Sequence, residues 1–404
     1  MIAAKHILGM TSLVIDWDYQ KCLAEFNGAK AGVTRWSSGF TLSNEMTFGF
    51  SSPNQYQNCM INLPDNKLGT WIVKTMNGND RTLEWTILNP MSNTATGTGL
   101  VVSRDTSYNT WSWLWSDGLV YTVSAQDKKL YRFKPNGTGY EYVGLIKTPN
   151  NATAGVQLLG GWSPLGRKYF AWTGQSSSTD YFSYLDMGDF STWQGSVSDL
   201  TYLGTGNLML PNGNIIIADH WGRYRVYAVS SSNVFSQVLA GQIGNYYSVG
   251  FCCSCPFAGM ENWIYRGFTG HGTTVVGLNY TSGETKSNSH FPNNYENNWT
   301  EQGQLLPNGE CFTWLQTCGT PGPAGNAGIL YDVSADSMQY CVPSDGIAVY
   351  GSGIQWQSRL LQNGKIFLYK NTDNLFRGKL LDIGLNASFS YSLLTHPWFG
   401  AGSR

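Results

Sequence analysis

One pattern constrains this chain more than any other. An apolar run, a short turn ending in glycine and a second apolar run recur seven times at a near-constant interval. The clearest copy spans residues 207–232, NLMLPNGNIIIADHWGRYRVYAVSSS. Leu208 to Leu210 is apolar. Pro211-Asn212-Gly213 is a turn, because proline presets φ and Asn-Gly enters the left-handed region at little cost. Ile215 to Ile217 is β-branched, as a buried strand should be. Asp219 to Gly222 is a second turn, and Tyr224 to Val229 alternates apolar with polar residues. The same turn position is occupied by Leu63-Pro64-Asp65-Asn66, Trp115-Ser116-Asp117-Gly118 and Ser163-Pro164-Leu165-Gly166. It recurs in Pro256-Phe257-Ala258-Gly259, Leu306-Pro307-Asn308-Gly309 and Leu361-Gln362-Asn363-Gly364. Successive copies lie 46 to 55 residues apart. In the first copy Asn66 stands where the glycine belongs.

A third strand follows each second one, as in LYRFKP (130–135), YFSYLDM (181–187) and ILYDVSA (329–335), and a weaker fourth fits before the next turn, as in VFSQVLAG (234–241). Each unit is therefore four strands, A to D, with the repeated turn between A and B. Such a unit cannot bury both faces alone, and stacking against two neighbours in a closed ring solves the problem. The expectation is an all-β chain: a seven-bladed β-propeller of four-stranded antiparallel blades, with six to eight blades compatible with the period. Helical periodicity is nearly absent. The pattern resembles the WD/kelch-type propeller superfamily, where an apolar strand, a Pro-(Asn/Asp)-Gly turn and a second strand lead to a Tyr-Asp-like third strand. Leu306-Pro307-Asn308-Gly309 followed by Leu330-Tyr331-Asp332-Val333 carries that resemblance best. The chain lacks the Gly-His…Trp-Asp pairs of WD40 repeats and the double glycines that follow strand B in kelch repeats, so the resemblance implies architecture.

Residues 1–50 fall outside the period, and residues 51–404 form the propeller. Residues 12–17, SLVIDW, read as a C-type strand, and residues 33–49 supply one or two more. Three readings stay open: ring closure by an N-terminal strand joining the last blade beside residues 386–395, an anchoring arm, or a partial eighth blade.

Composition excludes several functions. Only 13% of residues are charged and the net charge is −1, against about 25% charged in an average soluble protein. Without a basic field, nucleic acid is not an expected partner. No apolar run reaches the roughly 18 residues needed to cross a bilayer, so no membrane insertion is expected. The N-terminus lacks a small-residue cleavage site, so no signal peptide is expected. Eight cysteines include no metal-type CxxC pair, and three ligands from the short Cys252-Cys253-x-Cys255 run would not converge tetrahedrally without a bend. Metal and cofactor are both expected to be none. No HExxH, GxSxG, Walker or Rossmann pattern occurs in a fitting context, and the chain is read as a non-enzyme.

The A–B turns are short and uniform, so the longer B–C and D–A loops mark the expected ligand face. Two loops stand out: 317–327, TCGTPGPAGNA, and 289–303, SHFPNNYENNWTEQG. In the second, aromatic rings beside amides suit a sugar, ring face against C–H face and amide against hydroxyl. The glycan-binding candidates are Asn294, Tyr295 and Trp299, joined by His220, Trp221, His271 and His290 on the same face. Trp111, Trp113 and Trp115 share one strand face and are expected to pack between blades. Trp71, Trp172 and Trp314 recur after their turns as structural positions.

The low-charge, Asn/Ser/Thr/Gly/Trp/Tyr-rich composition resembles that of bacteriophage virion proteins. The resemblance implies a non-enzymatic virion surface or tail component, located in the virion and contributing to host receptor or glycan attachment. Its N-terminal segment would contact other virion proteins, and homo-oligomerisation is compatible with that role. The alternatives are a propeller glycosidase or lyase acting on surface polysaccharide, and a pure assembly scaffold in the particle.

Overall fold

The apolar runs flanking each repeated turn are strands, as β-branched and aromatic side chains favour. A computed structural model describes residues 14–32, 41–50, 60–77, 80–105, 110–124, 129–145, 157–162, 168–175, 180–197, 208–210, 212–218, 223–230, 234–242, 248–255, 262–268, 275–288, 298–300, 304–306, 310–317, 327–332, 337–341, 357–372, 375–385 and 388–396. Among these, strands predominate, with two helices, α1 (Tyr19–Gly32) and α2 (Tyr391–Thr395).

The strands form antiparallel sheets in sequence order. Four sheets of four strands cover 110–145, 157–197, 208–242 and 248–288; a five-stranded sheet covers 298–341; a nine-stranded sheet unites 41–50, 61–105 and 357–382. The nine-stranded sheet is two sets joined at one residue pair. Met46–Phe50 runs against Leu375–Asp382, and only its end, Phe50, reaches Val73 of the next set. Divided there, the described strands fall into seven sets. Each repeated turn joins an inner strand to the strand it pairs with; in the 298–341 sheet the inner position is split between Asn298–Thr300 and Gln304–Leu305, which both pair with Glu310–Thr317.

Hydrophobic cores sit between neighbouring sets, which is the burial logic of a propeller. Trp71 and Trp85 of the 61–105 set share a core with Trp113, Trp115 and Tyr121 of the 110–145 sheet, and with Leu185 and Met187 of the next. Leu210, Ile216 and Val226 pack on Ile264 and Leu278 of the following sheet. Phe48, Phe367 and Phe376 pack on Met60, Leu68 and Leu88, joining the end of the chain to its beginning. The first strands of successive sets lie nearest one another, as Gln157–Trp162 does beside Leu208–Met209 and Ser248–Cys255 beside Gln304–Leu305. Trp113 and Trp115 are core, as the alternation predicts. The Trp71 indole N–H donates to Ser112 Oγ at 2.9 Å, and Ser112 Oγ donates to Thr122 Oγ1 at 3.0 Å, so these three polar groups buried between sheets are paired.

Three A–B turns share one geometry. The amides of Gly118, Gly213 and Gly364 donate to the carbonyls of Trp115, Leu210 and Leu361, and the side chains of Asp117, Asn212 and Asn363 accept from amides two residues on. Each glycine has φ between +75° and +82°, which completes a three-residue hairpin loop. The first copy differs. Asp65 and Asn66 both have positive φ, and the Lys67 amide donates to the Pro64 carbonyl at 3.3 Å. Asn66 therefore belongs to a tighter two-residue turn rather than standing in for glycine.

A second repeated turn closes the C–D corners. Asn89, Asp186 and Asn279 end their strands and take one or two following backbone amides on the side-chain oxygen. The residue four positions on is left-handed in each: Asn93, Phe190 and Gly283. An Asx residue after a leucine is the sequence mark of this corner, and it also occurs at Asp382, which binds the Gly384 amide.

The N-terminal expectations need correction. Residues 14–18, the described part of SLVIDW and its neighbour, form no strand, and α1 follows them. The Asp18 side chain accepts from the Lys21 amide at 2.9 Å and starts the helix. Among its described side chains, 19–28, only Cys22 and Phe26 are buried, a narrow stripe for a periodicity reading. Within 33–49, Thr41–Leu42 and Met46–Phe50 are strands, and both pair with Leu375–Asp382. The partner is not 386–395, where α2 lies, because the third strand of the last set still offered a free edge.

Candidate functional site

Both terminal segments dock on the A–B turn side of the ring. The Ile15 amide donates to the carbonyl of Ser116, inside an A–B turn, at 2.7 Å. Trp17 meets Trp115 edge-on with centroids 5.5 Å apart, and its indole N–H donates to Thr395 Oγ1 at 3.1 Å. The Tyr391 hydroxyl donates to the carbonyl of Asn62, on a first strand, at 3.1 Å. Glu25 of α1 accepts from both the amide and the hydroxyl of Ser390, the residue that caps α2. His396 lies buried beneath Trp17 and Tyr19, and desolvation holds its imidazole down to about 3, opposed by a hydrogen bond with the Trp17 backbone. Turn-to-turn contacts tie the first and last sets on the same side: the Asn363 amide donates to Asn66 Oδ1 at 2.9 Å and the Asn66 amide to Gln362 Oε1 at 3.4 Å, while the Phe389 amide donates to the Gln362 carbonyl at 2.9 Å and seats the C-terminal segment on the last turn.

The opposite side carries the B–C and D–A connections. Of the glycan candidates, His220, Trp221, His271, His290, Asn294 and Tyr295 lie outside the described residues. Trp299 is described through its backbone: it belongs to a strand, Asn298–Thr300, opposite Gln316. The 289–303 stretch is therefore not all loop, because its last part adds an edge to the Glu310–Thr317 strand. Residues 318–326 of the other long loop also lie outside the described residues. The Cys252-Cys253-x-Cys255 run sits in strand Ser248–Cys255, whose register shifts between Phe251 and Cys253. Among the described residues, no cluster of three or more His, Cys, Asp or Glu is placed to hold a metal ion.

The chemistry of the inner strands is distinctive. Residues of the first strands read INL, TWSWL, QLLGGW, LM, SVGFCCSC, NWT, QL and QSRL. These described strands contain no Asp or Glu, and Arg359 is their one charged residue. Arg359 is buried, donates to the Met60 carbonyl at 3.1 Å and lies over the Tyr369 ring, so it joins the last set to the first. The described inner strands thus hold no pair of carboxyl groups in their sequence.

No protein-family model and no curated protein sequence matches this chain at a significant level. Solved structures do resemble it. A virginiamycin B lyase from Staphylococcus aureus shares 12% identity over 85% of this chain and 99% of its own, with a TM-score of 0.50. An oligogalacturonate lyase in complex with manganese gives 9% identity over 89% of this chain and 94% of its own, with a TM-score of 0.49. The β-propeller domain of Swd1 from Myceliophteria thermophila gives 7% identity over 85% of this chain and 99% of its own, with a TM-score of 0.48. The likeness to the virginiamycin B lyase, at 12% identity, speaks for the fold alone. The chain is a β-propeller by fold.

Proposed function

We propose that this chain is a non-enzymatic recognition propeller of a virion, a tail or capsid-surface component that contributes to host receptor or glycan attachment. The observation that carries the reading is the docking of both terminal segments on the A–B turn side, through Trp17, Tyr391 and Ser390. That side faces the particle, where the N-terminal segment meets other virion proteins. The side with the longer B–C and D–A loops is left to face a ligand, and Trp299 lies on the strand that follows the aromatic and amide stretch in sequence. The carboxylate-free inner strands favour binding over hydrolysis, since glycoside cleavage uses a pair of carboxyl groups. The seven strand sets stand for seven blades, closed by the pairing of residues 41–50 with 375–382.

The test is binding of the isolated protein to host cells and to an array of surface glycans. Saturable binding is expected, reduced at least tenfold by Tyr295→Ala with Trp299→Ala, and with no shortening of the polysaccharide on long incubation. Absence of binding to cells and glycans, with the loop side buried in an assembled particle, would favour a scaffold instead. Released oligosaccharides would establish a lyase or glycosidase.

A further inference from the structure

The outer rim of the 110–145 sheet carries an aromatic surface that the loop side does not include. Cross-strand pairing puts Ser112, Thr122, Tyr131 and Tyr142 in one row, and Tyr140 opposite Phe133 in the next. All of these share one sheet face. Burial falls along the row, from Ser112, fully buried, to Tyr142, 51% exposed, with Tyr140 beside it at 52%. The Tyr131 ring meets Tyr140 edge-on at 5.3 Å and Tyr142 tilted at 5.7 Å. The register shift after Tyr142 brings exposed Leu145 opposite Lys129, on the same face, and extends the strip.

The charge arrangement is one-sided. Arg132 and Glu141 alternate onto the other face and bind each other through two contacts at 2.8 and 3.1 Å. Lys129, at the Leu145 end, is the one charged residue these two strands place on the tyrosine face. Tyr140 and Tyr142 thus present rigid, uncharged, amphipathic rings, each with a hydroxyl at its tip.

We propose that Tyr131, Tyr140 and Tyr142 form a binding platform for the pyranose rings of a neutral oligosaccharide. Pyranoses present C–H faces for the rings and hydroxyls for the phenol tips and for Lys129. Ordering a tyrosine costs little side-chain entropy, and here Tyr131 already braces both partners. A protein strand is the poorer occupant. Strand Tyr140–Leu145 is a sheet edge, but its shifted register after Tyr142 breaks the straight hydrogen-bonding row an added strand needs. The platform lies on the outer rim, so it stands apart from the loop-side attachment reading and survives or fails on its own residues.

The test uses the full chain with gluco-, galacto- and N-acetylglucosamine-based hexasaccharides in a titration. Binding to at least one is expected, weakened about tenfold by Tyr142→Ala, the scale of one aromatic contact of about 1.4 kcal/mol. Tyr142→Phe, which keeps the ring, should change it less than threefold. In the unmutated protein, the bound sugar should protect Tyr140 and Tyr142 from nitration, read by mass spectrometry, which keeps the test valid if a variant misfolds. Failure of all three sugars to bind overturns the proposal. So does binding that Tyr140→Ala with Tyr142→Ala leaves unchanged; if Trp299→Ala abolishes that binding, the sugar sits on the loop side.

Discussion

His396 couples one buried ring to the stability of the whole chain. Its imidazole is sealed under Trp17 and Tyr19, and desolvation depresses its pKa to about 3, against about 6.5 when unfolded. Between those values the unfolded chain binds a proton that the folded chain excludes. This group's stabilising effect is therefore intact above pH 6.5 and is lost as pH falls toward 3, by about 1.4 kcal/mol per pH unit. Denaturant titrations at pH 7.5 and 5 should differ by about 2 kcal/mol from His396 alone. Asp16 and Asp382 are also held below the usual carboxylate range, Asp16 chiefly by its bond to Lys21 and Asp382 by the Gly384 amide and Lys365 against the pull of burial, so other groups add their own slope. The comparison is with His396→Asn, which should show a slope smaller by that amount; equal slopes would remove His396 from the account. Nothing in the sequence marks this histidine. The three histidines singled out there, His220, His271 and His290, lie outside the described residues, whereas His396 acquires its role from Trp17, 379 positions earlier. The tryptophans were more legible: alternation alone places Trp113 and Trp115 in the core, because strand period dictates which face a side chain takes.

At the scale of elements, the two helices hold each other. Glu25 receives two hydrogen bonds from Ser390, and Ser390 Oγ in turn caps α2 by accepting from the Leu393 amide. Glu25→Ala leaves the cap in place but frees the α2 start, and should lower stability by about 1 kcal/mol. Ser390→Ala removes cap and clamp together. A double-mutant cycle by thermal unfolding should show the two losses to be less than additive; strict additivity would mean that the helices dock independently. Helix α1 was hidden from a periodicity reading because, among its described side chains, only Cys22 and Phe26 are buried. Its one clear local signal is Asp18, a start residue whose side chain binds the Lys21 amide. The A–B turns were legible, since glycine with φ near +80° leaves few alternatives. The C–D corners were less so. Their Asx residues vary between Asn and Asp, and the left-handed position accepts Asn93, Phe190 or Gly283, which dilutes the pattern to a polar residue after an apolar run.

For the whole molecule, the repeat predicts that neighbouring units bury each other, and the shared cores between successive strand sets follow that rule. What a repeat cannot specify is how its first and last copies meet, because that pairing joins unlike segments. Here Met46–Phe50 lies along Leu375–Asp382, with Phe48 against Phe367 at 5.7 Å and Phe376 at 6.1 Å. The terminal segments outside it add Trp17 and α1, which cover the turn side without extending the sheet. Two truncations separate these contributions. Removal of residues 1–32 strips Trp17, Cys22 and Phe26 from their buried positions and should cost several kcal/mol, since a single buried Trp lost to Ala costs about 3–5; the strand pairing survives, and the product should remain a monomer with a lower Tm. Removal of residues 1–50 also uncovers the edge of Leu375–Asp382 and the Phe367 and Phe376 rings. An open edge beside exposed aromatics invites pairing between chains, so this product should run as oligomer or aggregate in size-exclusion chromatography with light scattering. If it stays monomeric with the Tm of the shorter truncation, the 41–50 strands do not close the ring, and the seven sets are held by their inter-sheet cores alone.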